Sequence, residues 1–218
     1  YKAIERFDDF ETSNKGTLLE LKNLMFKRST RTILSIKDLK FSYGNIIGIV
    51  GENGIGKSTL AKIICGLYKE NKGKILRDGE NLNIKSRLNE SLLIMQEVNY
   101  QLFTDTVKDE IVLTSNIKDD NALDTWLKDM ELKNIGDRNP HTLSGGQKQR
   151  VIILSALLSD KKILFFDEPT SGLDYRNMKI VAKNIKKVKE KDKLILIISH
   201  DVEFLESVCD KVIDFTYL

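Results

Sequence analysis

Four stretches of the chain are unbroken apolar runs of strand length: NIIGIV at residues 45–50, SLLIM at 91–95, KILFF at 162–166 and KLILIIS at 193–199. A strand with one solvated face alternates apolar and polar residues, so a continuous run implies a strand covered on both faces, as in a parallel sheet. Helical patterns follow several of these runs, at 57–67, 174–190 and 201–209, and that alternation means an α/β fold. Other segments read differently. TLLELKNLMF at 17–26 and RTILSIKDLKFS at 31–42 show short strand alternation, and GKILRDGENLNI at 73–84 adds turn-separated strands, which together fit a small antiparallel layer. Between 97 and 159 the strand signal gives way to helix starts at Thr106 with Asp109 three residues on, at Asn121 with Asp124 three on, and at Ser144. A helical lobe is therefore expected within the sheet domain, at 97–159, with a core lobe of 17–96 and 160–218 around it.

With 218 residues, 41% of them hydrophobic, the chain can build one large domain or two closely packed lobes. No apolar run approaches the roughly 18 to 20 residues that span a bilayer, and no segment resembles a signal peptide. If a membrane is involved, this chain touches it without crossing. Thirty-five Lys and Arg against 32 Asp and Glu leave a net charge of +3, too balanced to argue for nucleic acid as a partner. The Lys-rich stretch KNIKKVKEKDK at 183–193 reads as a solvated helix face. Cys65 and Cys209 are too few for a metal framework and read as packing thiols in a reducing compartment. His141 and His200 have no Cys or His at ligand spacing, so no zinc site is expected. Residues 1–16, charged and weakly periodic, read as a tail or linker, with one domain over 17–218.

GIVGENGIGKSTL, at 48–60, fits the phosphate-loop pattern G-x-x-x-x-G-K-[ST] directly after an apolar strand and directly before a helical pattern. Backbone N–H groups along Gly51, Glu52, Asn53, Gly54, Ile55 and Gly56, with the helix N-terminus behind them, suit phosphate oxygens. Lys57 neutralises charge between the terminal two phosphates, Ser58 offers its hydroxyl to Mg²⁺, and Thr59 adds a phosphate hydrogen bond. ILFFDEP, at 163–169, supplies the complementary half: an apolar strand ending in an acid puts a carboxylate at the C-terminal edge of a sheet. Asp167 is suited to hold Mg²⁺ and Glu168 to polarise an attacking water.

HTLSGGQKQR, at 141–150, raises a different question, because two adjacent glycines open a helix. Ser144 with Gln147 three residues on is a capping box. Gly145 and Gly146 are poor choices for a purely structural first turn, since each costs about 1 kcal/mol relative to Ala in a helix. They suit close approach of the backbone to an anion.

In combination these motifs resemble the nucleotide-binding domain of ABC transporters over about residues 17–218. Gly51 to Thr59 resembles the Walker A loop, Gln96 the Q-loop glutamine, Leu143 to Gln147 the signature, and Ile163 to Glu168 Walker B with its catalytic glutamate. SGLD, at 171–174, resembles the D-loop and His200 the switch histidine. The resemblance implies a P-loop NTPase with a RecA-like parallel core, an antiparallel β subdomain and an inserted helical subdomain. It also implies ATP and Mg²⁺ as cofactors and a peripheral place on the cytoplasmic face of a membrane. Two such domains pair head to tail, so Ser144, Gly145, Gly146 and Gln147 would contact ATP held by the partner domain. Gln96 would sense Mg²⁺ and an integral membrane partner, His200 would contact the γ-phosphate, and Asp174 would communicate across the interface.

One position departs from the pattern. Where family members often carry an adenine-stacking aromatic, LMFKR at 24–28 puts Arg28. A guanidinium can also stack on a base, so ATP binding is expected to survive with less base selectivity. YQLFTDTVKDEI, at 100–111, is similar to the segment after the Q-loop in energy-coupling-factor ATPases, which power uptake of vitamins and of cobalt or nickel ions. These occur as separate pairs or as two halves fused in one chain, so the expected partner domain is identical, homologous or fused, and the second half of a fused pair is one of the readings open to this chain. A GTPase would carry N-K-x-D, which neither NKGT at 14–17 nor NKGK at 71–74 supplies. Only about 85 residues separate Walker A from the signature, too few for the long coiled coil of chromosome-maintenance relatives. A soluble ABC-family ATPase acting on ribosomes is the alternative reading.

Overall fold

The computed structural model describes residues 4–5, 18–115, 117, 119–189 and 192–217. Most of the segment expected as a tail, 1–16, lies outside the described residues; within it Ile4–Glu5 forms a strand, β1. The chain divides into two compact units, one of Tyr1–Leu93, Lys161–Asp167 and Lys189–Leu218, the other of Ile94–Asp160 and Glu168–Val188.

The first unit holds β1, β2 (Leu18–Arg28), β3 (Arg31–Ser42), β4 (Ile46–Val50) and α1 (Lys57–Ile64). It continues with β5 (Lys72–Arg77), β6 (Glu80–Asn81), α2 (Ile84–Glu90), β7 (Ser91–Ile94, whose last residue opens the second unit) and β8 (Ile163–Asp167), and ends with β9 (Leu194–Ile198), α7 (Val202–Val208) and β10 (Lys211–Asp214). The apolar runs become the six-stranded sheet β1-β10-β4-β9-β8-β7, in which the pairs β1/β10, β10/β4, β4/β9 and β8/β9 are parallel. All five residues of β9 are buried, as are the first four of β4 and of β8, so these strands are covered on both faces as their composition requires. Gly48 in the middle of β4 serves this packing, because a Cβ there would lie 3.0 Å from Leu205 Cδ2 on α7 and 3.2 Å from Cys209 Sγ. Cys65 is buried and Cys209 half-buried.

The alternating segments form the antiparallel sheet β3-β2-β5-β6. Asn23, at φ 49, marks a break in the β2/β5 register between Lys22 and Met25. Gly73 at φ 94 lies against it, where a Cβ would come within 2.4 Å of Asn23 O. The stretch read as turn-separated strands ends sooner than expected: Asn83 caps α2 by accepting from Ser86 N, and the chain runs on as a helix whose Arg87 is buried.

The second unit is helical. α3 (Val107–Thr114) starts at Thr106 as expected, with its side chain accepting from Asp109 N. α4 (Asp120–Asp129) starts two residues earlier than expected: Asp119 is the cap, and Asn121 is inside the helix with its N–H on Asp119 Oδ1. Either residue type can cap, and the carboxylate nearer the chain's entry takes the role. α5 (Gly145–Leu157) is buried from Gln149 onward, as a helix apolar all round must be. α3 packs against it through Thr114 Oγ1, 2.6 Å from Ser155 Oγ.

The boundaries differ from the expected 97–159 chiefly because α6 (Tyr175–Lys187) belongs to this unit. Lys187 reaches α4, its Nζ 2.7 Å from Asp129 Oδ2 and 3.8 Å from the Trp126 ring centre, and Arg176 pairs with Glu131, just past α4, at 2.6 Å. Elsewhere in the Lys-rich stretch Lys183, Lys186 and Lys189 are exposed, while Asn184, Ile185, Val188 and Lys193 are buried.

Candidate functional site

The C-terminal edge of the parallel sheet is where three of the predicted segments come level. Ile49 of β4 pairs with Ile198 of β9, and Ile198 pairs with Asp167 of β8. The phosphate loop, Ser199–His200 and the β8 acid therefore leave neighbouring strands at the same height, each strand about 4.8 Å from the next. Chain direction alone brings them together.

The loop itself is built by backbone that side chains would obstruct. Gly51, Gly54 and Gly56 have φ of 142, 81 and 112, in the range open to glycine. A Cβ on Gly56 would also lie 3.1 Å from Ile33 O on β3. Gly56 is the N-cap of α1 with no side-chain capping bond, so the first N–H groups of the helix are left to a ligand. Lys57 is buried, and its Nζ donates to Gly51 O at 2.7 Å and Glu52 O at 2.9 Å, folding the ammonium back over the loop. Ser58 is exposed and Thr59 half-buried on the same turn. His200 Nε2 lies 2.9 Å from Asn53 Oδ1, tying the switch position to the phosphate loop. That side-chain role of Asn53 was not legible in a motif that asks only for its N–H.

A hydroxyl at Ser58 and a single carboxylate at Asp167 are a donor set that fits Mg²⁺, which keeps several waters and takes one or two protein oxygens plus phosphate. Glu168 follows Asp167 directly, with φ of 51. Left-handed backbone at a residue other than glycine stores strain of about 1 to 3 kcal/mol and clusters at functional positions. Its carbonyl accepts from Ser171 N at 3.1 Å, closing the turn after Pro169.

Arg28 ends β2 and is exposed at the β2–β3 turn. The aromatic two residues before it, Phe26, is stacked on Tyr68, with ring centres 5.3 Å apart and planes at 6°. Gln96 follows β7 and is exposed. The segment behind it is fastened by Met95 N on Gln101 Oε1 at 3.0 Å and by Lys148 Nζ on Asn99 Oδ1 at 3.0 Å.

In the second unit the capping box at the start of α5 is complete: Ser144 Oγ accepts from Gln147 N at 3.4 Å, and Gln147 Oε1 accepts from Ser144 N at 3.0 Å. The two glycines separate in role. A Cβ on Gly146 would lie 3.2 Å from Leu173 Cδ2, so this glycine lets the SGLD turn pack on the helix start. A Cβ on Gly145 would meet, among the described residues beyond its chain neighbours and its own helix turn, no atom within 4 Å. Asp174 caps α6, accepting from Asn177 N at 2.8 Å. An acid opening a helical pattern was the available sequence signal for that second task.

Comparison with known proteins identifies the family. The ABC transporter family matches residues 34–171. A putative ABC transporter ATP-binding protein of Treponema denticola is 41% identical over 207 residues, covering 94% of this chain, which spans 42% of that relative's length. Energy-coupling factor transporter ATP-binding protein EcfA1 of Mycoplasma mobile is 40% identical over 206 residues, covering 88% of this chain and 75% of that protein. Among solved structures, cbiO1 of Clostridium perfringens, described as part of the ABC transporter complex cbiONQ, superposes with a TM-score of 0.76 at 29% identity. That match covers 90% of this chain and 83% of cbiO1. With its phosphate loop, β8 acid and signature helix in the order that the pattern demands, the chain belongs to the ABC transporter family of ATP-binding domains, which hydrolyse ATP.

Proposed function

We propose that the chain is the ATP-hydrolysing half of a paired engine that imports a small solute, a vitamin or a metal ion, through membrane partners at the cytoplasmic face. The observation that carries this reading is Gly145. It opens a capped helix at a cost in stability, yet among the described residues beyond its chain neighbours and its own helix turn none approaches the space a Cβ would fill. The backbone there serves an anion brought by another molecule.

In this reading the loop Gly51–Thr59 grips the triphosphate, and Lys57 exchanges its two carbonyl bonds for phosphate oxygens. Mg²⁺, held by Ser58 and Asp167 with Gln96 nearby in sequence to β7, neutralises charge on the terminal phosphates when bound. Glu168 orients and deprotonates the attacking water, and His200, already hydrogen-bonded to the loop at Asn53, turns to the γ-phosphate. Ser144, Gly145 and Gly146 donate to the ATP of a second domain of the same kind, with Gln147 holding the cap and Asp174 beside them. Charge-assisted hydrogen bonds that exist only in the paired state supply the differential affinity a switch requires.

Import is favoured by the relatives named as energy-coupling-factor proteins and by Tyr100 and Phe103, each 75% exposed. Both lie in the segment that resembles that group, held by buried Glu110, which accepts from Phe103 N at 2.8 Å and Thr104 N at 2.9 Å. Exposed aromatics on an anchored segment suit a protein partner.

The test is Glu168→Gln. ATP binding should persist while turnover falls about 10² to 10⁴-fold, a barrier increase of about 3 to 5 kcal/mol, and ATP should drive a stable pair visible by size exclusion. Hydrolysis at the parent rate would remove Glu168 from its role, and co-purification with ribosomes in place of a membrane protein would overturn the import branch.

A further inference from the structure

α5 carries a buried arginine one turn beyond the signature. Arg150 is 6% exposed, and its direct partner is the neutral amide of Asn177 on α6, which accepts from NH1. Its Nε has no partner. A buried guanidinium is ordinarily matched to a carboxylate, because desolvating the charge is costly without one. Burial lowers the Arg150 pKa, opposed by the charges of Glu131 and Asp174.

The matching carboxylate is one link further on. Asp174 accepts through Oδ1 from Asn177 N at 2.8 Å and through Oδ2 from Asn177 Nδ2 at 2.9 Å. The Asn177 amide therefore spans two groups of opposite charge, its oxygen toward the guanidinium and its NH₂ toward the carboxylate. It cannot be turned round: with oxygen and nitrogen exchanged, donors would face donors at Arg150 and acceptors would face acceptors at Asp174. At the start of α5, Gly146 admits Leu173 of the same SGLD turn. The signature start and the SGLD turn are thus joined twice, once by close packing and once by this polar relay, and all of these residues lie in one compact unit.

We propose that Asn177 and Arg150 are positioning residues for Asp174, fixing its carboxylate relative to the Ser144–Gly146 helix start so that both reach the ATP of a second domain as one preset surface. The proposal rests on the reading above that these two segments face a partner's nucleotide. It makes α6 an extension of the signature helix, with the SGLD turn moving wherever α5 moves. Presetting both contacts avoids ordering them separately at each closure.

The informative variant is Asn177→Asp in the full-length protein. As a purely structural change it is benign: the new carboxylate has the shape of the amide and pairs with Arg150 more strongly. The Asp174 cap on the backbone N–H of residue 177 is kept. As a change to the relay it is harmful, because the new carboxylate faces Asp174 Oδ2, which turns away while Oδ1 keeps the cap. Expected are an unfolding midpoint at or above the parent's, a KM for Mg·ATP within about twofold, and a kcat lowered about tenfold or more, the split that marks loss of an interaction made only on the way to the transition state. Asn177→Ala, which cuts both links without adding charge, should lower kcat less. The Glu168→Gln chain is assayed alongside for ATP-dependent pairing. If it fails to pair, the shared-site reading falls and this proposal with it. If it pairs and Asn177→Asp turns over at the parent rate, or loses kcat only in proportion to a lowered unfolding midpoint, the positioning role alone is overturned.

Discussion

Glu168 keeps a left-handed backbone although glycine would adopt it more easily, which is understandable if its carboxylate is needed at the end of β8. Nothing in the pattern of apolar residues signals that conformation. Arg28 is expected where relatives often carry a base-stacking aromatic, and Phe26, two residues before it, has one ring face stacked on Tyr68. Replacing Arg28 with Tyr should tighten ATP by about 1 to 3 kcal/mol, the worth of one base–aromatic contact. It should also raise the preference for ATP over GTP, read by titration of both nucleotides. A parent chain that already prefers ATP strongly would show that the base is held elsewhere. Arg28 was legible as a departure only because the surrounding motifs locate the position.

At the scale of elements, α5 shows how a helix can be stabilised at its cap and weakened in its first turn. The capping box contributes about 0.5 to 2 kcal/mol, while glycine at positions 145 and 146 gives up part of it. Gly145→Ala should therefore raise the unfolding free energy by about 0.5 to 1 kcal/mol, while ATP-driven pairing and turnover fall. An alanine variant that is both stabilised and fully active would leave Gly145 without the role proposed for it. The cap at Ser144 was readable from S-x-x-Q spacing, a local property. The start of α4 at Asp119 was not, because Asp119 and Asn121 are both competent caps and the choice depends on how the chain enters the helix. α2 was missed because its seven residues are too few for helical periodicity to stand out from the strand signal before it.

For the molecule as a whole, a buried thiol at the C-terminal end of α1 has an electrostatic consequence at high pH. Burial pushes the Cys65 thiol up to about 12 from an ordinary value near 9, against a hydrogen bond from Ser91 and the charge of Arg87, which lower it. In the unfolded chain the thiol ionises near 9 while the folded chain keeps its proton. The stabilisation is therefore complete below about pH 9 and is lost as pH rises toward 12, at about 1.4 kcal/mol per pH unit. Denaturant unfolding between pH 9 and 12 should show this slope, and Cys65→Ala should flatten it; an unchanged slope in the variant would assign the alkaline loss to other groups.

The parallel sheet, the phosphate loop, the β8 acid pair and the capped helix at Ser144 are legible in the chain's own residues. Each of these is written in residues close together along the chain: continuous apolar runs, a six-residue glycine and lysine spacing, a capping box. Tertiary structure alone decided that α6 joins the helical unit, that Gly146 and Gly145 have different reasons to be glycine, and that Asn177 links Arg150 to Asp174. Those outcomes depend on side chains 27 residues apart, as Arg150 and Asn177 are, meeting across packed helices. No local periodicity encodes such a meeting.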